Sequence, residues 1–221
     1  RFRNAQSGTV QGTSSIAGAY ESIKNNPDIG WEKAFKQDYG FDLYFFGDRF
    51  KTTFDYYREH RTDILVRDAT VPSSIGFTMP YTNAGETKSW GWELSLGYND
   101  KIGKDFRFWG KLNLSYNQNE LINNGEALQP EAYQMAKNHR LGARSMYQFW
   151  RYYDEQTPAL YEKTFGEKFP TQLVENIQPG DAVYVDLNHD GKIDPNDKTR
   201  DLGYTDDPEY MVGLNLGFSY K

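Results

Sequence analysis

The stretch Tyr210-Met-Val-Gly-Leu-Asn-Leu-Gly-Phe-Ser-Tyr220, near the end of the chain, alternates large apolar residues with small or polar ones. Tyr, Val, Leu and Phe occupy its even positions, whereas Gly, Asn and Ser occupy the odd positions from 213 to 219. Because successive side chains of a β-strand point to opposite sides, this pattern predicts a strand with one apolar and one polar face. A length of roughly 10 residues is typical of strands that cross a membrane.

Four earlier segments show the same period of two. They lie at about 39–45, 50–57, 90–98 and 106–117. Aromatic residues such as Phe45, Trp92 and Tyr116 stand towards the ends of the apolar faces, and membrane proteins place aromatic side chains at both interfaces. The opposite faces carry residues that suit a water-filled lumen, namely Lys51, Asp55, Glu93, Lys111 and Asn113.

The connections between these five segments alternate in length. They are short at 47–49 and 99–105, and long at 60–88 and 118–207. Outer-membrane barrels have short periplasmic turns and long external loops. We therefore predict an all-β chain of about five antiparallel transmembrane strands, with long extracellular loops, that forms part of a larger β-barrel.

Composition agrees with this prediction. The chain has 17 Tyr, 14 Phe and 5 Trp, yet its mean hydropathy is −0.82. A disordered chain is poor in aromatics, whereas a barrel combines a lipid-facing side with a wet lumen and polar loops. The net charge of −6 argues against a nucleic-acid partner. With no cysteine, disulfide and thiol chemistry are excluded.

Five strands cannot close a bacterial barrel, which has an even number of strands from about 8 upward. An open sheet in lipid leaves two edges of unpaired backbone groups, each at a cost of several kcal/mol. We therefore expect further strands outside residues 1–221, and outer-membrane lipid around the apolar face.

The segment 186–197 fits a calcium-loop pattern in which residues 1, 3, 5, 7, 9 and 12 supply oxygen ligands. Gly191 permits the sharp bend, and Asp stands at the last position, where Glu is usual. The predicted ligands are Asp186, Asn188, Asp190, the carbonyl of Lys192, Asp194 and Asp197. We expect a structural Ca²⁺ that fixes the long loop 118–207, and the alternative is a solvated turn that binds nothing.

Aromatic residues of the same loop form a candidate substrate-binding group. Trp150, Tyr152 and Tyr153 offer rings that stack on sugars, although packing within the loop or against a partner is the favoured explanation for such rings. Glu120, Asp154 and Glu155 form no recognisable catalytic arrangement, and the three histidines are too far apart in sequence for a zinc motif. We therefore predict that the chain is not an enzyme.

The chain resembles the C-terminal barrel region of SusC/RagA-like TonB-dependent outer-membrane transporters. The resemblance covers residues 26–221. Its matching stretches are Asn26-Pro27, Gly30-Trp31-Glu32-Lys33, Phe46-Gly47-Asp48-Arg49-Phe50, Phe54-Asp55-Tyr56-Tyr57, Asn83-Ala84-Gly85-Glu86, Gly91-Trp92-Glu93-Leu94, Gln178-Pro179-Gly180-Asp181, Tyr184-Val185-Asp186, Asp190-Gly191-Lys192-Ile193-Asp194 and Gly213-Leu214-Asn215-Leu216.

This resemblance implies a Gram-negative outer-membrane importer of oligosaccharides or peptides. It also implies an N-terminal plug domain, absent from this sequence, that connects the barrel to TonB, and a SusD-like surface lipoprotein that covers the external mouth. The alternative, from a different functional class of protein, is a soluble calcium-binding β-sandwich, such as a carbohydrate-binding module. A sandwich would bury Leu94, Leu114 and Leu216 against a second sheet, whereas a barrel would leave them in an outward belt.

Overall fold

The computed structural model describes residues 25–71 and 78–221 in full, and residues 2–4 and 19–21 by their backbone. Its strands are β1 (Phe2–Asn4), β2 (Ala19–Glu21), β3 (Lys33–Phe45), β4 (Phe50–Arg67), β5 (Tyr81–Ile102), β6 (Phe106–Asn123), β7 (Met146–Tyr147), β8 (Phe149–Tyr152), β9 (Ala182–Tyr184), β10 (Lys198–Thr199) and β11 (Tyr210–Tyr220). Helix α1 spans Thr157–Phe165, and 3-10 turns cover Ala132–Gln134 and Pro195–Asp197. Within these ranges, no helix has the length and apolar character to cross a membrane.

The chain divides into two compact units. The wall unit comprises Arg1–Ala127 and Asp207–Lys221, and the loop unit comprises Leu128–Asp206. Five strands of the wall unit form an antiparallel sheet in the order β11-β6-β5-β4-β3. The five predicted transmembrane strands are therefore confirmed as one sheet, which the described residues do not close on itself.

The pairing register places the predicted apolar residues on one face of the sheet. Phe41, Phe54, Leu94, Leu114 and Val212 are direct cross-strand neighbours. A row made only of aromatic residues crosses the same face nearer the long connections, and this aromatic row consists of Tyr39, Tyr56, Trp92, Tyr116 and Tyr210. On β11 this face is open, and Leu216 is 72% exposed.

The strands extend further than the alternation of apolar residues predicts. β4 continues to Arg67 and β5 begins at Tyr81, so the long connection predicted at 60–88 is the shorter segment 68–80. β6 continues to Asn123, so the second long connection runs from 124 to 209. The short turn is confirmed at 46–49, where Gly47 and Asp48 have φ of 64° and 67°. Positive φ at successive residues is what tight hairpin turns need.

Two interruptions in the alternation of β6 are explained by pairs of large and small residues. Trp109 lies opposite Gly217 on the polar face, and a Cβ at Gly217 would lie 2.3 Å from the indole ring. Gly110 lies opposite Leu216 on the apolar face, where a Cβ would lie 2.9 Å from the leucine side chain. Each glycine therefore provides the space that its larger neighbour fills.

The loop unit has a small core of its own, built mainly from aromatic residues. α1 places the buried Tyr161 and the half-exposed Phe165 with ring centroids 4.5 Å apart, and Trp150 of β8 packs edge-on against both rings. The helix ends at Gly166, which has φ of 77° and caps it in the left-handed region. The sequence predicts only a long loop from 118 to 207, and the structure shows that it contains a short helix and paired strands.

Exchanging Gly217 for alanine should destabilise the sheet because the new methyl group would overlap the indole of Trp109. We expect a loss of about 1–3 kcal/mol in the free energy of unfolding, the usual cost of overpacking. Thermal and denaturant unfolding of the full-length protein in detergent measure it. Gly213→Ala is the matched control on the same strand, since its nearest neighbour would be 3.8 Å away. Equal stability of the two variants would contradict this packing.

Candidate functional site: a two-faced wall and a buried carboxylate loop

The polar face of the wall unit carries all five residues predicted to line a lumen. Asp55 pairs with Glu93 across β4 and β5, Lys51 and Lys111 both pair with Gly97, and Asn113 pairs with Ser95. Residues that share a register row lie on the same face of a sheet. A groove of about 440 Å³ runs over this face and is lined by Thr53, Asp55, Glu93, Ser95, Asn113 and Ser115, together with residues of β11.

Ion pairs organise the part of the polar face nearer the long connections. Glu59 accepts from Arg61 at 2.7 Å and from Lys36 at 3.1 Å, and Arg61 also contacts Glu32. These partly exposed pairs balance one another, so this region presents hydrogen-bonding groups with little net charge.

The loop 186–197 is folded around the carboxylate of Asp186. This residue is buried, and its side chain accepts hydrogen bonds from the backbone amides of His189, Asp190 and Gly191, the last at 2.7 Å. Gly191 has φ of 84°, a value that favours glycine. Asp186 therefore closes the turn at the positions where the calcium-loop pattern requires a sharp bend.

Asp197 closes the other end of the loop and is fully buried. Its carboxylate accepts from the amides of Leu187 at 2.8 Å and Asp194 at 2.7 Å. Asp194 in turn accepts from the amide of Asn196, which makes a capping box at the 3-10 turn. The two ends of the predicted calcium segment are thus joined by hydrogen bonds.

The side chains of the other predicted ligands lie around the ammonium group of Lys192, whose backbone carbonyl is itself a predicted ligand. Lys192 Nζ lies 2.7 Å from Asp194 and 3.8 Å from Asp190, and Asn188 donates to Asp190 at 3.1 Å. The hydrogen bond between Lys192 and Asp194 raises the pKa of the lysine and lowers the pKa of the aspartate. Across the described ranges, no group of three or more acidic or histidine side chains is arranged to hold a metal ion. Calcium binding stays a prediction.

Two tyrosines that the sequence analysis did not single out fix this loop within its unit. The hydroxyl of Tyr161 accepts from the amide of Asp186 at 3.0 Å, and the hydroxyl of Tyr133 donates to the carbonyl of Asn196 at 2.8 Å. Burial, reinforced by nearby carboxylates, raises the pKa of Tyr133 to about 12. The two tyrosines lie 25 and 63 residues from their partners, so no local pattern reveals them.

The predicted substrate-binding aromatics separate into different environments. Trp150 lies in the core of the loop unit, and Tyr153 faces Phe169 with ring centroids 6.0 Å apart. Tyr152 is 66% exposed, and its ring contacts that of Phe149, also exposed, at 5.2 Å. The structure therefore does not bring the three predicted residues together as one stacking surface.

Asp154 and the three histidines, which form no recognisable catalytic arrangement in the sequence, make structural contacts. Asp154 accepts from the hydroxyl of Thr157 at 2.7 Å and pairs with Arg151 at 2.6 Å, which fixes the start of α1. Each histidine contacts one carboxylate. The pairs are His60–Glu86 at 2.7 Å, His139–Asp201 at 2.7 Å and His189–Glu167 at 2.9 Å. The hydrogen bond that the imidazole donates to Glu167 raises the pKa of His189.

Comparison with known proteins gives a consistent result. A family model described as "TonB dependent receptor-like, beta-barrel" matches residues 2–221. TonB-dependent receptor P3 of Formosa agariphila is 24% identical over 227 residues, covering 96% of this chain and 21% of that receptor. TonB-dependent receptor SusC of Bacteroides thetaiotaomicron is 25% identical over 215 residues, covering 89% and 19%.

Solved structures share the fold. The RagAB peptide transporter matches with a TM-score of 0.64 and 23% identity, covering 100% of this chain and 22% of that one. The RagAB peptide importer in its open-open state matches with a TM-score of 0.66 and 21% identity, with the same coverage. This chain thus spans about a fifth of the length of the proteins it matches.

The match over nearly the whole chain and the shared sheet agree with the SusC/RagA resemblance seen in the sequence. The chain therefore belongs to the TonB-dependent receptor-like β-barrel family, and it resembles SusC and RagA, which are proteins of the bacterial outer membrane.

Proposed function

We propose that this chain forms part of the wall of an outer-membrane importer that takes up oligosaccharides or peptides. The observation that carries the proposal is the separation of the two faces across the five neighbouring strands of the sheet. One face presents aromatic and aliphatic residues, as in the row from Phe41 to Val212, and the other presents charged and amide groups beside a groove. A wall between lipid and a wet lumen needs this separation.

The alternative of a soluble β-sandwich is not supported. It requires Leu94, Leu114 and Leu216 to be covered by a second sheet, yet Leu216 is 72% exposed. Among the described strands, the other sheets have two strands each, and those formed by β7 to β10 lie in the separate loop unit. The apolar face therefore has the openness that a lipid-facing belt requires.

The proposal includes two protein partners. SusC and RagAB relatives support a SusD-like surface lipoprotein as the external partner, and the family supports energy coupling through TonB by a region outside this sequence. RagAB is described as a peptide transporter, which supports peptides as one of the two candidate substrate classes. No step of the proposal requires covalent chemistry, so we assign the chain no enzymatic activity.

Leu114→Arg should block assembly of the full-length protein in the outer membrane. An arginine at the lipid-facing midplane costs about 2–4 kcal/mol, whereas the lumen face tolerates charge. Heat-modifiable mobility of membrane fractions on gels measures assembly. Asn113→Arg is the matched control, since it introduces the same residue one position away on the polar face. Normal assembly of Leu114→Arg would contradict the wall assignment.

Transport itself is tested by uptake in cells. A strain that carries the full-length protein as its one importer of this type should take up a labelled oligosaccharide pool or a labelled peptide pool, and deletion of TonB should abolish that uptake. An affinity tag on the importer should co-purify a surface lipoprotein. Uptake that persists without TonB, or uptake of neither pool, would contradict the proposed function.

We also propose that the segment 186–197 binds a structural Ca²⁺. Two buried carboxylates, Asp186 and Asp197, lie in one short loop, and their charges call for compensation. Carboxylate, amide and carbonyl oxygens are the donors that calcium prefers. The ammonium of Lys192 lies beside Asp190 and Asp194, so the ion has to replace this group as their partner.

Lys192→Gln should therefore strengthen calcium binding, because it removes the competing ammonium and keeps the backbone carbonyl at that position. Asp190→Ala should weaken binding. Calcium titration of the full-length protein, followed by limited proteolysis within Leu128–Asp206, measures both effects. Cleavage that is equally fast in calcium and in chelator, for the wild type and for Lys192→Gln alike, would exclude a structural calcium.

A further inference from the structure

The outward face of the sheet carries a group of cationic residues directly beyond the aromatic row. Arg58 of β4 pairs with Trp90 of β5, and the next row pairs His60 with Lys88. These rows share the face of Tyr56 and Trp92, since positions two apart on a strand point to the same side. Together with Tyr56, Glu59 and Ser89, these four residues line a groove of about 320 Å³, which we call the cationic groove.

Two cations of this groove make no ion pair. Arg58 and Lys88 are exposed, and neither has a hydrogen bond or an ion pair within the described ranges. The ring of His60 forms a hydrogen bond with Glu86 at 2.7 Å, so that carboxylate has a partner of its own. Glu59, the one acidic residue in the lining, is already paired with Lys36 and Arg61.

Glu120 is the remaining acidic neighbour and pairs in register with Lys88 from β6. It does not line the groove. The cationic groove therefore offers one guanidinium and one ammonium to an anion, next to the rings of Tyr56 and Trp90.

The position of the groove corresponds to the headgroup level of the membrane. Aromatic belts mark the boundary between hydrocarbon and headgroups, and the aromatic row containing Tyr56 and Trp92 forms such a belt. Arg58 lies two residues further along the strand, about 7 Å from Tyr56. The strands at this end lead into the long connections at 68–80 and 124–209, which outer-membrane barrels place outside the cell.

We propose that the cationic groove binds the phosphate of a phosphorylated lipid in the outer leaflet. The fork of Arg58 suits two phosphate oxygens, and Lys88 adds a second positive charge. The groove continues the apolar face without interruption, so acyl chains of the same lipid would lie on the belt that includes Phe54 and Leu94. This continuity favours a lipid over a soluble anion or a protein partner.

This inference deepens the wall assignment, on which it rests, and its test requires no transport. The full-length protein in detergent is mixed with bis-phosphorylated lipid A, and native mass spectrometry measures the bound lipid. Replacing Arg58 and Lys88 together by Gln should weaken binding by about thirtyfold, or about fivefold for each charge. The matched control replaces Lys51 and Lys111 by Gln, which removes the same charge from the polar face and should leave binding unchanged.

Three results would overturn the inference. The first is unchanged lipid binding in the Arg58/Lys88 variant, and the second is equal binding of lipid A from which both phosphates have been removed. The third is binding of inorganic phosphate as tight as that of lipid A, which would assign the groove to a free anion. If the double variant does not assemble, Arg58→Gln and Lys88→Gln are measured singly. The wall assignment itself is contradicted by a different result, namely normal assembly of Leu114→Arg, so the two failures can be distinguished.

Discussion

Backbone amides and carbonyls have no water to bind in hydrocarbon, so every strand in a membrane must satisfy them by pairing with its neighbours. The three inner strands of the sheet, β4, β5 and β6, meet this requirement by continuous antiparallel pairing on both sides, with irregularities confined to two places near the long connections. Side chains then decide what each face contacts. The aromatic row, the aliphatic rows and the polar groove all follow from this register.

The loop unit solves a different problem, because it is not part of the five-stranded sheet and needs a core of its own. Its core combines α1 with the aromatic side chains of Trp150 and Tyr161, and the carboxylates of Asp186 and Asp197 bind backbone amides in the turn. The hydroxyl of Tyr161 connects the two regions by its contact with the amide of Asp186. The unit thus holds its irregular backbone by buried polar contacts as much as by apolar packing.

The sequence predicted the strands well where lipid imposes a strict alternation, as at Leu214 and Asn215. It underestimated their length because the outward face becomes charged beyond the aromatic row, so Arg58 and Lys88 interrupt the apolar period while pairing continues. It also missed α1, which is short, although Gly166 gave a signal for its end. The contact of Tyr161 with the loop depends on tertiary packing and has no local signature.

The lipid-facing assignment is tested most directly by nitroxide labels along β11 of the full-length protein in bilayers. The chain itself has no cysteine, so single cysteines introduced from 212 to 219 report one position each. Labels at even positions should be accessible to oxygen, which concentrates in hydrocarbon, and shielded from a water-soluble nickel chelate, whereas labels at odd positions should show no preference for oxygen. Accessibility without this period of two would contradict the account.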